Sequence, residues 1–183
     1  MSIRNMVLAG LFAALLSISS QISFPIGPVP HTLQLFFIML AGLVLGGRWG
    51  AVSVAIWILL GAFGMPVFAQ AKSGLPELIG PTGGFKFGFM MCAWLVGRLT
   101  ERSRLSYPRV GLAMFLGLVV TYVVGLIGFM VSFEYFLGKP MTWDKAWYLA
   151  VAPFIPFDAV KAALAAYVGV KIRGALKQAG YSA

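Results

Sequence analysis

Residues 110–133 read VGLAMFLGLVVTYVVGLIGFMVSF, a run of 24 residues that contains no charged side chain. A helix that crosses the roughly 30 Å hydrocarbon core of a bilayer needs about 20 predominantly apolar residues. Within hydrocarbon, every backbone N–H and C=O group must find a partner inside the protein, and a helix provides those partners. This stretch therefore predicts a membrane-spanning helix, and we interpret the rest of the chain in a bilayer.

The composition of the whole chain agrees with that setting. Of its 183 residues, 60% are hydrophobic and 10% are charged, and the mean hydropathy is +0.91. A soluble domain carries roughly 25% charged residues. The net charge of +9 would indicate nucleic acid binding in a soluble protein. Here the basic residues stand at the ends of apolar runs, so we expect the lipid bilayer, and no nucleic acid, as a partner.

Glycine, proline and charged residues divide the chain into six apolar runs. We therefore predict an all-α polytopic membrane protein, a single domain over residues 1–183 formed by a bundle of six transmembrane helices with ordered outer loops. The predicted helices cover residues 5–20, 32–46, 49–64, 85–97, 110–133 and 147–170.

The basic residues orient this array, because cytoplasmic segments carry an excess of lysine and arginine. With the N-terminus inside, nine basic residues fall on the inner side: Arg4, Arg48, Arg98, Arg102, Arg104, Arg109, Lys171, Arg173 and Lys177. Four fall on the outer side: Lys72, Lys86, Lys139 and Lys145. The asymmetry predicts that both termini lie in the cytoplasm of a cell membrane.

Two outer loops are rich in proline and glycine. Residues 23–30 hold Pro25, Pro28 and Pro30 without a charge, and residues 65–84 form a long connection. Such segments resist regular helix, and irregular backbone at membrane depth persists only when it is buried or lines a cavity. Tight turns are one interpretation, and ordered loops that close over an outward-facing pocket are the other, which we favour.

Asp158 and Lys161 are the strongest candidates for a binding site. Their i, i+3 spacing places them on one helical face, and ten residues separate Lys161 from Lys171, about 15 Å along a helix. Lys161 is then near mid-membrane, where charged residues normally face a polar cavity. A self-neutralising structural pair is the alternative. We favour a ligand site for a small neutral group with adjacent N–H and C=O, such as a cyclic urea or amide.

Residues 80–86, GPTGGFK, form a second candidate. Gly83 and Gly84 let the backbone approach a ligand, successive amides can form an anion nest, and Lys86 can meet a carboxylate. A simple helix-entry turn with a snorkelling lysine is the alternative.

Ala9 and Ala13, four residues apart, permit close helix contact in a membrane. Gln34 is either structural or pocket-lining, and we interpret His31 as a polar cap residue. Because the sequence contains no phosphate-binding loop, no HExxH motif, no paired cysteines and a single histidine, we predict no enzyme activity, no catalytic residues and no metal site.

Five segments, taken in order and spacing over nearly the whole chain, resemble the BioY family. They are PIGPVP (25–30) with Thr32-Leu33-Gln34, AGLVLG (41–46), GMPVF (64–68), GPTGGF (80–85) and FDAVK (157–161). Members of that family are the biotin-specific substrate-binding subunits, or S components, of energy-coupling factor transporters.

The resemblance implies a six-helix bundle that holds biotin, with no further cofactor. It implies that Asp158 and Lys161 meet the ureido head and that residues 80–86, with Phe85, line the pocket and bring Lys86 near the carboxylate. It implies that Ala9 and Ala13 contact a transmembrane coupling subunit, and that two ATPase subunits complete the transporter. This chain departs from the family at Lys72-Ser73-Gly74, so Lys72 and Ser73 are both candidate ligand contacts.

Other functions remain as alternatives. They are an S component for another vitamin such as thiamine or riboflavin, an intramembrane enzyme that uses Asp158 and Lys161, and a structural membrane scaffold. The scarcity of carboxylates and the single histidine weigh against the enzyme.

Overall fold

The computed structural model describes residues 3–24, 29–101 and 106–179. Most of these residues are helical, as the sequence predicts. The predicted loop prolines Pro25 and Pro28 and the basic residues Arg102 and Arg104 lie outside the described residues. The helices are α1 (Ile3–Gln21), α2 (Gln34–Ala62), α3 (Pro76–Ile79), α4 (Gly83–Glu101), α5 (Tyr107–Val131), α6 (Trp143–Ala150) and α7 (Ile155–Gln178). The strands are β1 (Ser23–Phe24) and β2 (His31–Thr32), which pair antiparallel.

Helix α2 is a hairpin of two helical segments rather than one straight helix. Gly46 interrupts it with φ 82° and ψ 171°, a backbone conformation that glycine adopts without steric cost. A methyl group on Gly50 would lie 2.8 Å from the Cα of Gly42, although eight residues of continuous helix would separate them by about 12 Å. The chain therefore reverses at Gly46, and the carboxylate of Glu101 caps the second segment by accepting the Gly47 N–H at 2.5 Å.

Helix α2 lies at the centre of the bundle. It packs against α1, α4 and α7, and α5 packs against α4, α6 and α7. The main core cluster takes large buried side chains from α1, α2, α4 and α5, among them Leu16, Met39, Trp57, Val96 and Met114. Other large apolar side chains, such as Leu11, Phe115 and Leu164, point outward and are more than half exposed, as expected for a surface in contact with lipid.

Three helical stretches are long and apolar enough to cross a membrane among the described residues. They are Ile3–Gln21, Gln34–Ala62 counted over both segments of α2, and Tyr107–Phe136, which is α5 with the π-helical residues that follow it. Helix α6 with α7 makes a fourth span if that bent pair is counted as one. The chain is therefore a multi-pass helical membrane protein.

The expectation of one continuous helix over residues 147–170 is wrong. Helices α6 and α7 meet at a 50° bend, and residues 151–154 between them form turns. Pro153 lies in that turn and Pro156 lies in the first turn of α7. Proline lacks the N–H that would continue a helix and clashes with the preceding turn, so it ends α6 and is tolerated at the start of α7.

Ala9 and Ala13, which the resemblance implies contact a coupling subunit, do not lie on the outer surface of α1. Each is only 1% exposed, and Ala13 belongs to the core cluster that α2 shares. The small residues that α1 exposes are Gly10 and Ala14. Two pairs of small residues with four-residue spacing therefore occur in α1: the pair at 9 and 13 faces the bundle, and the pair at 10 and 14 faces outward.

The end of the bundle opposite Gly46 carries the loops, and we call it the pocket end. Residues 65–72 are fastened there by buried hydrogen bonds: the Ser20 hydroxyl and the Trp57 indole N–H both donate to the carbonyl of Val67, at 2.7 and 2.8 Å. The Gln21 carboxamide accepts the N–H of Ala71 at 2.9 Å. This loop is therefore ordered, and it covers the pocket end.

Candidate ligand-binding site

A cavity lies at the pocket end, between the loops, the ends of α2, α4 and α7, and the middle of α5. Its volume is about 70 Å³, measured as the space open to the centre of a water-sized sphere. A single water needs roughly 10–15 Å³ on that measure, so the space admits a small organic molecule rather than one structural water. Six aromatic side chains form part of its walls: Trp57, Phe68, Phe85, Phe89, Tyr122 and Phe154.

Asp158 stands at one place in the wall, in the first turn of α7. Its Oδ1 accepts from the Lys161 ammonium and its Oδ2 accepts from the Tyr122 hydroxyl, each at 2.8 Å. The residue is 5% exposed. A helix N-terminus favours a negative charge, and each carboxylate oxygen keeps a second lone pair. The pair can therefore accept one hydrogen bond and donate another to a ligand.

Tyr122 is a polar site residue that the sequence reasoning missed. It lies in the charge-free run that defines α5. The only signal for it was a hydroxyl inside an apolar helix, which is equally common at a membrane interface.

Gln34 begins α2 and is 4% exposed. Its side-chain carbonyl accepts from the Thr32 hydroxyl at 3.1 Å, while its Nε2 has no hydrogen-bond partner among the described residues. An unsatisfied buried donor costs about 1–3 kcal/mol. Because Gln34 lines the cavity, a ligand acceptor would relieve that cost.

Lys86 marks a second polar place in the wall. It is only 4% exposed, and its Nζ donates to the carbonyl oxygen of Glu77 at 2.8 Å and to the Thr82 hydroxyl at 2.7 Å. The Nζ also lies 4.6 Å from the centre of the Phe68 ring, a distance at which the ring face attracts a cation. Lys72 lines the same part of the cavity. Sequence reasoning missed Glu77, because an acidic residue in a proline- and glycine-rich loop carries no positional signal.

Six of the nine predicted ligand residues line this one cavity: Gln34, Lys72, Phe85, Lys86, Asp158 and Lys161. Ser73, Gly83 and Gly84 do not. A methyl group on Gly83 would lie against the carbonyl of Leu78, and one on Gly84 would lie 2.7 Å from the Cα of Gly128. The two glycines thus allow α4 to pack closely on α3 and α5, and the Gly83 N–H is already bonded to the carbonyl of Gly80.

His31 is not a helix cap, contrary to expectation. It pairs with Phe24 in the two-stranded ribbon, and its ring stacks on Phe154 with 3.9 Å between ring centres. The histidine is 6% exposed, and neither ring nitrogen has a partner among the described residues. Burial, reinforced by the nearby charge of Lys161, lowers the pKa of His31. The neutral ring therefore packs as an aromatic wall behind the site.

The charged groups of the cavity sum to one positive charge. Three lysines, at 72, 86 and 161, stand against two carboxylates, at 77 and 158. Asp158 is paired with Lys161 at the start of α7, and Glu77 is paired with Lys86 at the start of α4. With aromatic walls between them, the cavity suits a small molecule that has a neutral hydrogen-bonding head, an apolar body and one negative charge.

A multi-pass helical protein with such a cavity at one end of its bundle is a membrane-embedded binding protein for a small polar-headed molecule. The comparisons with known proteins identify its family. The BioY family model matches residues 1–178, and the chain belongs to that family.

Relatives and a solved structure agree with this assignment. The chain is 40% identical over 172 residues to a biotin transporter BioY of Thermotoga maritima, covering 93% of this chain and 96% of that protein. It is 41% identical over 174 residues to a probable biotin transporter BioY of Pyrococcus horikoshii, covering 95% and 99%. The fold matches a crystal structure of the S component for biotin from an ECF-type ABC transporter, with TM-score 0.84 at 23% identity over 94% of this chain and 92% of that one.

Proposed function

We propose that this chain is the biotin-binding S component of an ATP-driven energy-coupling factor transporter for vitamin uptake, and that it is not itself an enzyme. The observation that carries the proposal is the cavity, which pairs a buried Asp158–Lys161 site with a separate basic site across aromatic walls, in a chain of the BioY family.

The Asp158–Lys161 pair at the start of α7 suits the ureido ring of biotin. That ring presents two N–H donors beside one carbonyl acceptor. Asp158 accepts from a ureido N–H through its free lone pairs, and Lys161, or the Nε2 of Gln34, which has no partner among the described residues, donates to the carbonyl. The charge-assisted bonds are the stronger ones, at roughly 1.5–3 kcal/mol each.

The rest of biotin suits the remaining wall. Its sulfur ring and aliphatic chain are apolar and pack against aromatic side chains, among them Trp57, Phe68 and Phe85. Its carboxylate then lies toward Lys86 and Lys72. Burial of the apolar portion contributes about 25 cal/mol per Å² removed from water.

We further propose six membrane spans, with both termini in the cytoplasm of a bacterial cell membrane. The two segments of α2 reverse at Gly46 and count as two crossings, and α1, α4, α5 and α6–α7 supply four more. Six crossings return both termini to the Gly46 end. Lys171, Arg173 and Lys177 lie toward that end of α7, as the positive-inside rule favours.

The proposed partners are a transmembrane coupling subunit and two ATPase subunits. The sequence contains no GxxxxGK[ST] phosphate-binding loop, and we propose that the two ATPase subunits supply ATP hydrolysis. We place the coupling subunit on the exposed face of α1, where Val7, Leu11 and Ile18 are each more than half exposed and flank the small Gly10 and Ala14.

Titration of the detergent-purified chain with biotin tests this function. We expect one biotin per chain, measured by isothermal titration calorimetry, with thiamine and riboflavin as controls that do not bind. Binding of a control vitamin in preference to biotin, or no binding of biotin, would contradict the proposal.

A further inference from the structure

The part of the cavity wall around Lys86, at the start of α4, already contains an anion. The Glu77 carboxylate lies between two lysines, with Oε1 3.5 Å from the Nζ of Lys72 and Oε2 3.7 Å from the Nζ of Lys86. All three residues line the cavity. A protein carboxylate thus occupies the region where an acidic ligand would find its two cations.

The hydrogen bonds of the Glu77 carboxylate reach Lys86 only indirectly, through Thr82, whose hydroxyl donates to Oε2 of Glu77 at 3.3 Å. The Lys86 ammonium donates to the backbone carbonyl of Glu77 and to the hydroxyl of Thr82. The carboxylate oxygen, at 3.7 Å, lies beyond hydrogen-bond distance. Because an ammonium has three donors, the third is available to a ligand. Both existing bonds go to groups that Glu77→Gln retains, the backbone carbonyl of residue 77 and the Thr82 hydroxyl.

We propose that Glu77 is a specificity-determining residue that acts as an internal counter-anion. In the empty pocket it balances one of the two lysines, so this end of the cavity presents a single net positive charge, two lysines less one carboxylate. A ligand with one carboxylate completes the balance. A ligand carboxylate near Lys86 must approach Glu77, and the repulsion sets an upper limit on its affinity.

Lys72 makes this arrangement adjustable. Its side chain is 52% exposed, whereas those of Glu77 and Lys86 are 23% and 6% exposed. A half-exposed lysine can turn from Glu77 to a bound carboxylate without leaving a charge buried. Lys86 is therefore the fixed cation of the site, and Lys72 is the one that is shared.

The inference rests on the proposed function, and a pair of ligands separates the two. Biotin carries the carboxylate, and biotin amide replaces it with a neutral group while keeping the ring and chain. Affinities of both for the detergent-purified chain are measured by calorimetry in the wild type and in Glu77→Gln. The matched control is Glu134→Gln, which removes an acidic charge from an exposed position that does not line the cavity.

We expect Glu77→Gln to bind biotin about tenfold more tightly, equivalent to ~1.4 kcal/mol, and biotin amide with unchanged affinity. Glu134→Gln should behave as the wild type with both ligands. If Glu77→Gln does not fold, Glu77→Ala makes the same test, because it also removes the carboxylate and should shift the affinity for biotin relative to biotin amide in the same direction.

An acid-to-amide affinity ratio that is the same in the wild type and in Glu77→Gln would overturn the counter-anion role while leaving the proposed function intact. A Glu77→Gln variant that binds biotin more weakly would overturn it too, because Glu77 would then support binding. If the wild type binds neither ligand, the proposed function fails and takes this inference with it.

Discussion

Replacement of Asp158 by asparagine is the most direct test of the cavity. Asparagine keeps the shape of the side chain but removes its charge, and the carboxylate currently accepts from Tyr122 and Lys161 at 2.8 Å each. The variant leaves the Lys161 ammonium, whose side chain is 15% exposed, without its counter-charge. Stranding one partner of a buried pair costs on the order of 3–5 kcal/mol.

The effect on binding follows from the bond that is lost. A charge-assisted hydrogen bond to a ureido N–H contributes roughly 1.5–3 kcal/mol, and ~1.4 kcal/mol changes an affinity tenfold. We therefore expect Asp158→Asn to weaken biotin binding at least tenfold. Tyr122→Phe keeps the carboxylate and removes only one neutral donor, so it should lose less.

Calorimetry with biotin is the assay, and thermal unfolding of the same samples reports whether each variant is folded. Asp144→Asn is the matched control, because it makes the same chemical change in the exposed first turn of α6. If folded Asp158→Asn binds biotin as tightly as Asp144→Asn does, Asp158 is a structural ion-pair member and the proposed site is wrong.

Three further predictions test the surface of α1, the buried histidine and the orientation. Gly10→Trp, at an exposed position where an added side chain meets nothing within 4 Å, should retain biotin binding but lose copurification with the coupling subunit; Ala9→Trp, at a buried position, should lose both through misfolding, and intact copurification with Gly10→Trp would refute docking on this face. Because burial lowers the pKa of His31 from about 6.5, folding excludes a proton that the unfolded chain binds, so stability should fall as the pH drops below 6.5; the melting temperature should decline from pH 7.5 to pH 5.5 in the wild type and less in His31→Phe, and equal slopes would contradict this. An impermeant maleimide added to cells should label Ser73→Cys and not Ser106→Cys, and the reverse result would reject the proposed orientation.

The sequence by itself determined that this protein lies in a membrane and which family it belongs to. The run of 24 uncharged residues at 110–133, which forms most of α5, is long enough to cross a bilayer. This property depends only on consecutive residues, so it can be recognised without any tertiary contact. The family resemblance is confirmed by the match over residues 1–178. The spacing of Asp158 and Lys161 predicted that they share a face, and their 2.8 Å ion pair confirms this, because an i, i+3 relation is fixed by the helix itself.

The tertiary structure decided which faces point where and which distant residues meet. Small residues occur in α1 both at 9 and 13 and at 10 and 14, so spacing could not tell the buried pair from the exposed one. Packing of α1 against α2 buries the residues at 9 and 13 and leaves those at 10 and 14 exposed. Likewise, Tyr122 reaches Asp158 from 36 positions away, and Glu77 meets two lysines across a loop. Such contacts depend on how the helices cross and where the loops fold back, and hydrophobic periodicity within one segment contains no information about either.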